Sequence, residues 1–127
     1  MPDYSIKSIR DLPDWRTVLA QDIDIIATGV AASGVTTYIL SYTVPAGKTL
    51  FIYDWSCVMI NSDAGIRGSL ENYTTTTILT MGGGLRGFQT PLTKPKRLSA
   101  GQNVRIFVQQ DTGVDRIVGC HIGGILW

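Results

Sequence analysis

The 127-residue chain holds a single histidine, His121, and two cysteines, Cys57 and Cys120. One histidine cannot build the two- or three-histidine set with a carboxylate on which small β-barrel metal sites rely. No GxSxG-like strained turn accompanies it to present a nucleophile, so His121 is expected to play a structural part within a strand. Two cysteines so far apart give neither a disulfide framework nor a CxxC metal pattern. Both sit in apolar strand-like runs and are expected to be buried thiols acting as small hydrophobes, with a bridge between neighbouring strands left open. Charge is also scarce, at 17% of residues against about 25% in an average domain. A net charge of +1 excludes a general polyanion binder. No run reaches the roughly 18 apolar residues of a membrane span, and the start, MPDYSIKSIRDLPDW, lacks the apolar segment of a secretion signal. A soluble protein made in the cytosol is the expectation.

What is present is a 44% hydrophobic chain long enough for one domain with its own core. From residue 35 onward the dominant period is two, and no window shows sustained helical spacing. In VTTYILSYTV (35–44), Tyr38, Leu40, Tyr42 and Val44 share a face. Pro45-Ala46-Gly47 then turns the chain. TLFIYDWSCVMI (49–60) is apolar in both directions, with Phe51, Tyr53, Trp55, Cys57 and Met59 on one side and Leu50, Ile52, Val58 and Ile60 on the other. Such a strand needs covering twice, by its own core and by another layer or subunit. Further strands are expected over Ile66 to Glu71, through the threonine run into Met81, around Leu85 to Thr90, over NVRIFVQQ (103–110) and from Val114 to the end. Gly82-Gly83-Gly84 reads as a break. Pro91 and Pro95 in PLTKPKRL argue for an edge or a loop. About eight strands with regular turn signals make an all-β sandwich.

Residues 1–34 differ in character. A short helix over DLPDWRTVLAQ, an alternating Asp22-Ile23-Asp24-Ile25-Ile26 and a small-residue linker suggest an arm ahead of a sandwich at 35–127. The arm cannot bury its apolar stripe alone, so it packs on the sandwich or reaches a neighbour. Residues 1–33 carry net charge −2 and the remainder +3. No acidic residue lies between Glu71 and Asp111, where Arg86, Lys94, Lys96, Arg97 and Arg105 fall. That asymmetry suits either docking against an acidic surface or a charged edge that resists aggregation.

Catalytic constellations are missing. MGGGLRG does not fit a phosphate loop, and Asp54 with Glu71 is the one carboxylate pair worth weighing for glycoside hydrolysis. Nucleic acid is not an expected partner, because the basic interval has no aromatic platform beyond Phe88 and Phe107. No enzyme activity and no cofactor are expected.

YILSYTVPAGKTLFIYDWSCVMI together with KRLSAGQNVRIFVQQDTGVDRIVGCHIGGILW resembles the small jelly-roll virion proteins of tailed bacteriophages, which include capsid decoration proteins and related tail or spike domains. The shared elements are the VPAGKTL turn opening a long strand, the LSAGQ turn before a V-x-I-x-V strand and a last strand ending in small residues. The resemblance covers about three-quarters of the chain. It implies an eight-stranded jelly-roll sandwich, a homo-oligomer around a threefold or higher axis, and an N-terminal extension that grips the major capsid protein or another virion protein. Expected interface residues are Arg10, Trp15 and Arg16 in the arm, Phe51, Tyr53 and Trp55 on the long strand, and Lys94, Lys96 and Arg97 in the basic loop. The expected location is the virion. The alternative function is a receptor- or carbohydrate-binding module whose stacking surface is drawn from Tyr38, Tyr42, Tyr53, Trp55 and Tyr73.

Overall fold

The computed structural model describes residues 21–127, which form eight antiparallel strands. They are β1 (Gln21–Ala31), β2 (Thr37–Thr43), β3 (Leu50–Met59), β4 (Gly65–Asn72), β5 (Thr77–Leu85), β6 (Gly87–Leu98), β7 (Asn103–Gln110) and β8 (Arg116–Leu126). Sheet A has the order β1-β8-β3-β6 and sheet B the order β2-β7-β4-β5. The all-β sandwich expected from the period-two patterning is present. The expected helix over DLPDWRTVLAQ lies outside the described residues.

The pairing is nested. β4 pairs with β5, β3 with β6, β2 with β7 and β1 with β8, so the chain folds back on itself about the turn at Tyr73–Thr76. Two further ladders, β3 with β8 and β4 with β7, zip each sheet together. Residues 21–31, read from sequence as part of an arm ending in a linker, are an eleven-residue strand of sheet A in unbroken register with β8. The small residues of ATGVA fit there because β1 lies over the partner sheet: a Cβ at Gly29 would stand 3.2 Å from the Ile39 side chain.

The core follows alternation. Val104, Ile106 and Val108 of β7, Val118, Cys120 and Ile122 of β8, and Ile66 and Leu70 of β4 all point inward and are buried. Removing such apolar area from water is the main stabilising contribution. Simple alternation fails in β3. Tyr53 is skipped in the register with both neighbouring strands, an extra residue that shifts the phase. Leu50 and Ile52 point inward before it, and Trp55, Cys57 and Met59 after it, while Phe51, Asp54, Ser56 and Val58 face outward. The expected division of this strand into two continuous apolar faces is therefore corrected. A similar irregularity between Tyr38 and Leu40 turns Tyr38 out of the face it was expected to share with Leu40.

The glycine triplet is not a break, because Gly82, Gly83 and Gly84 continue β5. A Cβ on Gly82 would come within 2.6 Å of the Phe88 ring and one on Gly68 within 3.2 Å of it. The ring of β6 thus fills the space left by two glycines of sheet B, a packing reason for glycine inside a strand. Arg86 alone separates β5 from β6, at φ 70°. Its N–H donates to the Ala64 carbonyl and its own carbonyl accepts from the Met59 N–H, both at 2.7 Å, which fixes the corner where the chain passes between sheets. β6 runs on to Leu98 through both prolines. It does so at the edge of sheet A with residues 92–95 out of register, as proline's missing N–H requires.

Cys57 and Cys120 stand directly opposite each other on β3 and β8, buried and unbridged, with 3.2 Å between the sulfurs. The hydrogen bond with Cys120, and burial after it, push the Cys57 thiol far above its ordinary range, so Cys57 stays protonated and unreactive.

Candidate interaction faces

Alternation places three side-chain groups on the outer faces of the sandwich. The first is an apolar band on sheet A. Val30 of β1 pairs with Ile117 of β8, and the Ile60 N–H donates to the Ile117 carbonyl at 2.9 Å, aligning three branched side chains in one row. In the next row Thr28, Gly119 and Val58 lie side by side. Because Gly119 has no side chain, Val58 and Ile60 lean over it; an added Cβ would touch both. Val30, Val58 and Ile60 are about half exposed and Ile26, one row further, is 72% exposed. Apolar side chains clustered in this way on an outer face mark an interaction surface, whereas scattered ones need no explanation.

Beside the band, His121 bonds one carboxylate and stands near a second. Its Nε2 lies 2.8 Å from Asp24 Oδ1 and its Nδ1 3.9 Å from Asp54 Oδ1. The structural role expected of this histidine is what the geometry gives, a tie between β1 and β8. The space over Gly123, where a Cβ would meet Asp54 Oδ1 at 2.5 Å, lets the Asp54 carboxylate lie flat against the sheet. Asp54 and Glu71 cannot flank one glycosidic bond, since Asp54 is on the outer face of sheet A and Glu71 lies on strand β4 of sheet B, opposite Arg105 in backbone register.

The third group is on sheet B. The Arg105 guanidinium sits 4.3 Å from the centre of the Tyr38 ring and 3.8 Å from that of Tyr73. Phe107 touches both tyrosines, with ring centroids 6.2 and 6.1 Å away. Arg105 Nε donates to Asn103 Oδ1 at 3.1 Å, and the Asn103 amide donates in turn to Ser41 and Thr43. Stacking and that hydrogen bond hold the guanidinium in one orientation. No described carboxylate lies within ion-pair distance of it. From sequence Arg105 stands out only as one of the basic residues; the signal that finds it is its place on the outward row of β7 with Asn103 and Phe107.

The expected interface residues separate. Trp55 is fully buried and offers nothing to a partner, a correction that follows from the phase shift at Tyr53. Tyr53 is 43% exposed and Phe51 half-buried, and Phe51 pairs with Arg97. Lys94 and Arg97 are exposed on edge strand β6, with Lys96 half-buried between them. Arg10, Trp15 and Arg16 lie outside the described residues. The five aromatic residues considered for stacking do not form one surface: Tyr38 and Tyr73 flank Arg105, Tyr53 is on the other sheet, Tyr42 packs against the core and Trp55 is inside it.

No family model matches the chain, and no curated protein matches it. Among solved structures it is similar to a protein of Bacillus endospore appendages, described as disulfide-linked pili, at 10% identity over 85% of this chain and 87% of that one, with a TM-score of 0.49. It is similar to the pre-peptidase C-terminal domain of a Bacillus anthracis collagenase at 14% identity, covering 80% and 87% of the two chains, with a TM-score of 0.46. It is also similar to a chain of the cyanophage Pam1 capsid at 9% identity, covering 84% and 85%, with a TM-score of 0.43. The three differ in role, and none assigns one to this chain.

Proposed function

We propose that this chain is a structural virion protein, a capsid decoration protein that assembles into a homo-oligomer and works by covering surfaces rather than by chemistry. The observation that carries the reading is the apolar band of Val30, Val58, Ile60 and Ile117 on the outer face of sheet A. The nested pairing, with β1-β8-β3-β6 facing β2-β7-β4-β5, supports a jelly roll of the kind the sequence resembles. In this reading the N-terminal arm binds the capsid surface or a neighbouring subunit. An obligate interface of roughly 2,000 Å² or more is expected.

Native mass measurement at micromolar concentration tests this. The wild-type chain is expected as a trimer or larger ring, and the double variant Val58→Asp, Ile117→Asp is expected to lose that ring and leave nothing larger than a dimer, with unchanged strand content. Two carboxylates forced into an apolar contact should weaken association at least about a hundredfold. A wild-type monomer that also fails to sediment with capsid shells overturns the reading.

The clamp around Arg105 favours a second reading, a receptor- or carbohydrate-binding module of a tail or spike. Tyrosine and phenylalanine rings offer faces for a sugar, and the ordered guanidinium suits a carboxylate on it. Calorimetric titration with an oligosaccharide of uronic acids, beside a neutral one of equal length, separates the possibilities. This module should bind the acidic sugar, and Arg105→Ala should lose at least about tenfold in affinity, the worth of one charge-assisted hydrogen bond. Absence of binding by the wild-type protein removes the second reading.

A further inference from the structure

A two-sheet sandwich has four edge strands, here β1 and β6 of sheet A and β2 and β5 of sheet B. Each exposes a row of backbone N–H and C=O groups that can pair with another strand, and natural proteins blunt such edges with charge, proline, irregularity or shortness. Three of the four edges carry these devices. β1 has Asp22 and Asp24. β6 has Pro91, Pro95, Lys94, Lys96 and Arg97, with residues 92–95 out of register. β2 has only seven residues and is irregular between Tyr38 and Leu40. β5 differs. Its nine residues, TILTMGGGL, include no charge and no proline, and after one irregularity at Leu79 it pairs regularly with β4 from Thr80 to Leu85. Its outward side chains are nearly bare, Met81 at 68% and Leu85 at 79% exposed.

We infer that β5 pairs antiparallel with β5 of a second copy of this chain, joining two four-stranded sheets into one of eight strands across a twofold axis. The occupant follows from charge. β1 and β6 can self-pair only in registers that keep Asp22 and Asp24, or Lys94, Lys96 and Arg97, away from their equivalents, whereas β5 carries no charge and meets its own copy with no like charge opposed in any register. The regular stretch puts the axis at Gly83. Met81 then faces Leu85 of the partner subunit, and the glycines between them place no side chains in the way of close backbone approach. An isologous contact of this kind closes on itself and does not propagate into a fibre. The inference stands on the chemistry of β5 and is independent of the virion reading and of the band on sheet A.

Amide hydrogen exchange over a dilution series tests it with the full chain. Outward amides of residues 80–85 are expected to exchange at least about tenfold more slowly at high concentration than at low. The variant Met81→Lys, Leu85→Lys should abolish that dependence, because it opposes four like charges across the axis. The variant Val58→Asp, Ile117→Asp should leave it intact, which separates this contact from the one on sheet A. Exchange in β5 that is the same at every dilution, or dependence that survives the lysines, overturns the inference.

Discussion

Gln110→Leu is expected to destabilise the sandwich by roughly 3–5 kcal/mol, despite exchanging a polar side chain in the core for an apolar one of similar size. Gln110 is fully buried at the end of β7. Its amide donates to the Ala31 carbonyl at 2.9 Å and to the Val114 carbonyl at 2.8 Å, and its Oε1 accepts from the Thr112 N–H at 2.7 Å. One side chain thus satisfies backbone groups at the end of β1 and on both sides of the turn into β8. Leucine removes all three bonds: the Ala31 carbonyl left buried and unpaired costs about 1–3 kcal/mol, and each of the two lost bonds in the partly exposed turn about 1 kcal/mol. Gln110→Glu should be worse still at neutral pH, since a carboxylate would face two carbonyl oxygens in a dry site. Urea denaturation should show a lower midpoint with an unchanged slope for Gln110→Leu. A change under about 1 kcal/mol would mean that water replaces the side chain and that the turn does not depend on it.

Gln110 also marks where sequence reading stops. The alternation of Val104, Ile106 and Val108 correctly placed the inner face of β7, and the next inward position in that series is Gln110. Polarity alone argues for the surface there, and only the three backbone partners, 79, 4 and 2 positions away, explain its burial. β7, β8 and the turn at Pro45–Gly47 were legible because periodicity and turn chemistry agree there; Gly47 takes φ 74° as that turn needs. β3 was misread for a specific reason. A single extra residue at Tyr53 reverses the faces, and nothing local in the string FIYDWS distinguishes the bulged residue from its neighbours. Glycines 82–84 were misread because their reason lies on another strand, in the Phe88 ring. The apolar band on sheet A was partly visible as surplus hydrophobicity in Val58 and Ile60. Its contributions from Val30 and Ile117 need the register of three strands.

The phase shift in β3 makes Trp55 the largest side chain of the core, and Trp55→Ala is expected to cost about 3–5 kcal/mol. The indole meets Phe88 edge-on at 5.1 Å between centroids, and Phe88 in turn fills the gap over Gly68 and Gly82 of the opposite sheet. Truncating Trp55 therefore empties the space on sheet A and also loosens the ring that bridges the two layers. A loss of this size is a large share of the roughly 5–15 kcal/mol that holds a domain together, so a chain without a cooperative transition is within the expected result. Trp55→Phe keeps the test informative. The indole Nε1 is buried with no hydrogen-bond partner among the described residues, a desolvation cost that phenylalanine does not carry. Recovering about 1–3 kcal/mol from that group offsets part of the lost volume, so Trp55→Phe should lie within about 1.5 kcal/mol of wild type. Chemical denaturation compares the two variants directly. If phenylalanine costs nearly as much as alanine, the unpaired N–H is no burden in the native protein, and the stability of this layer depends on the full shape of the indole against Phe88.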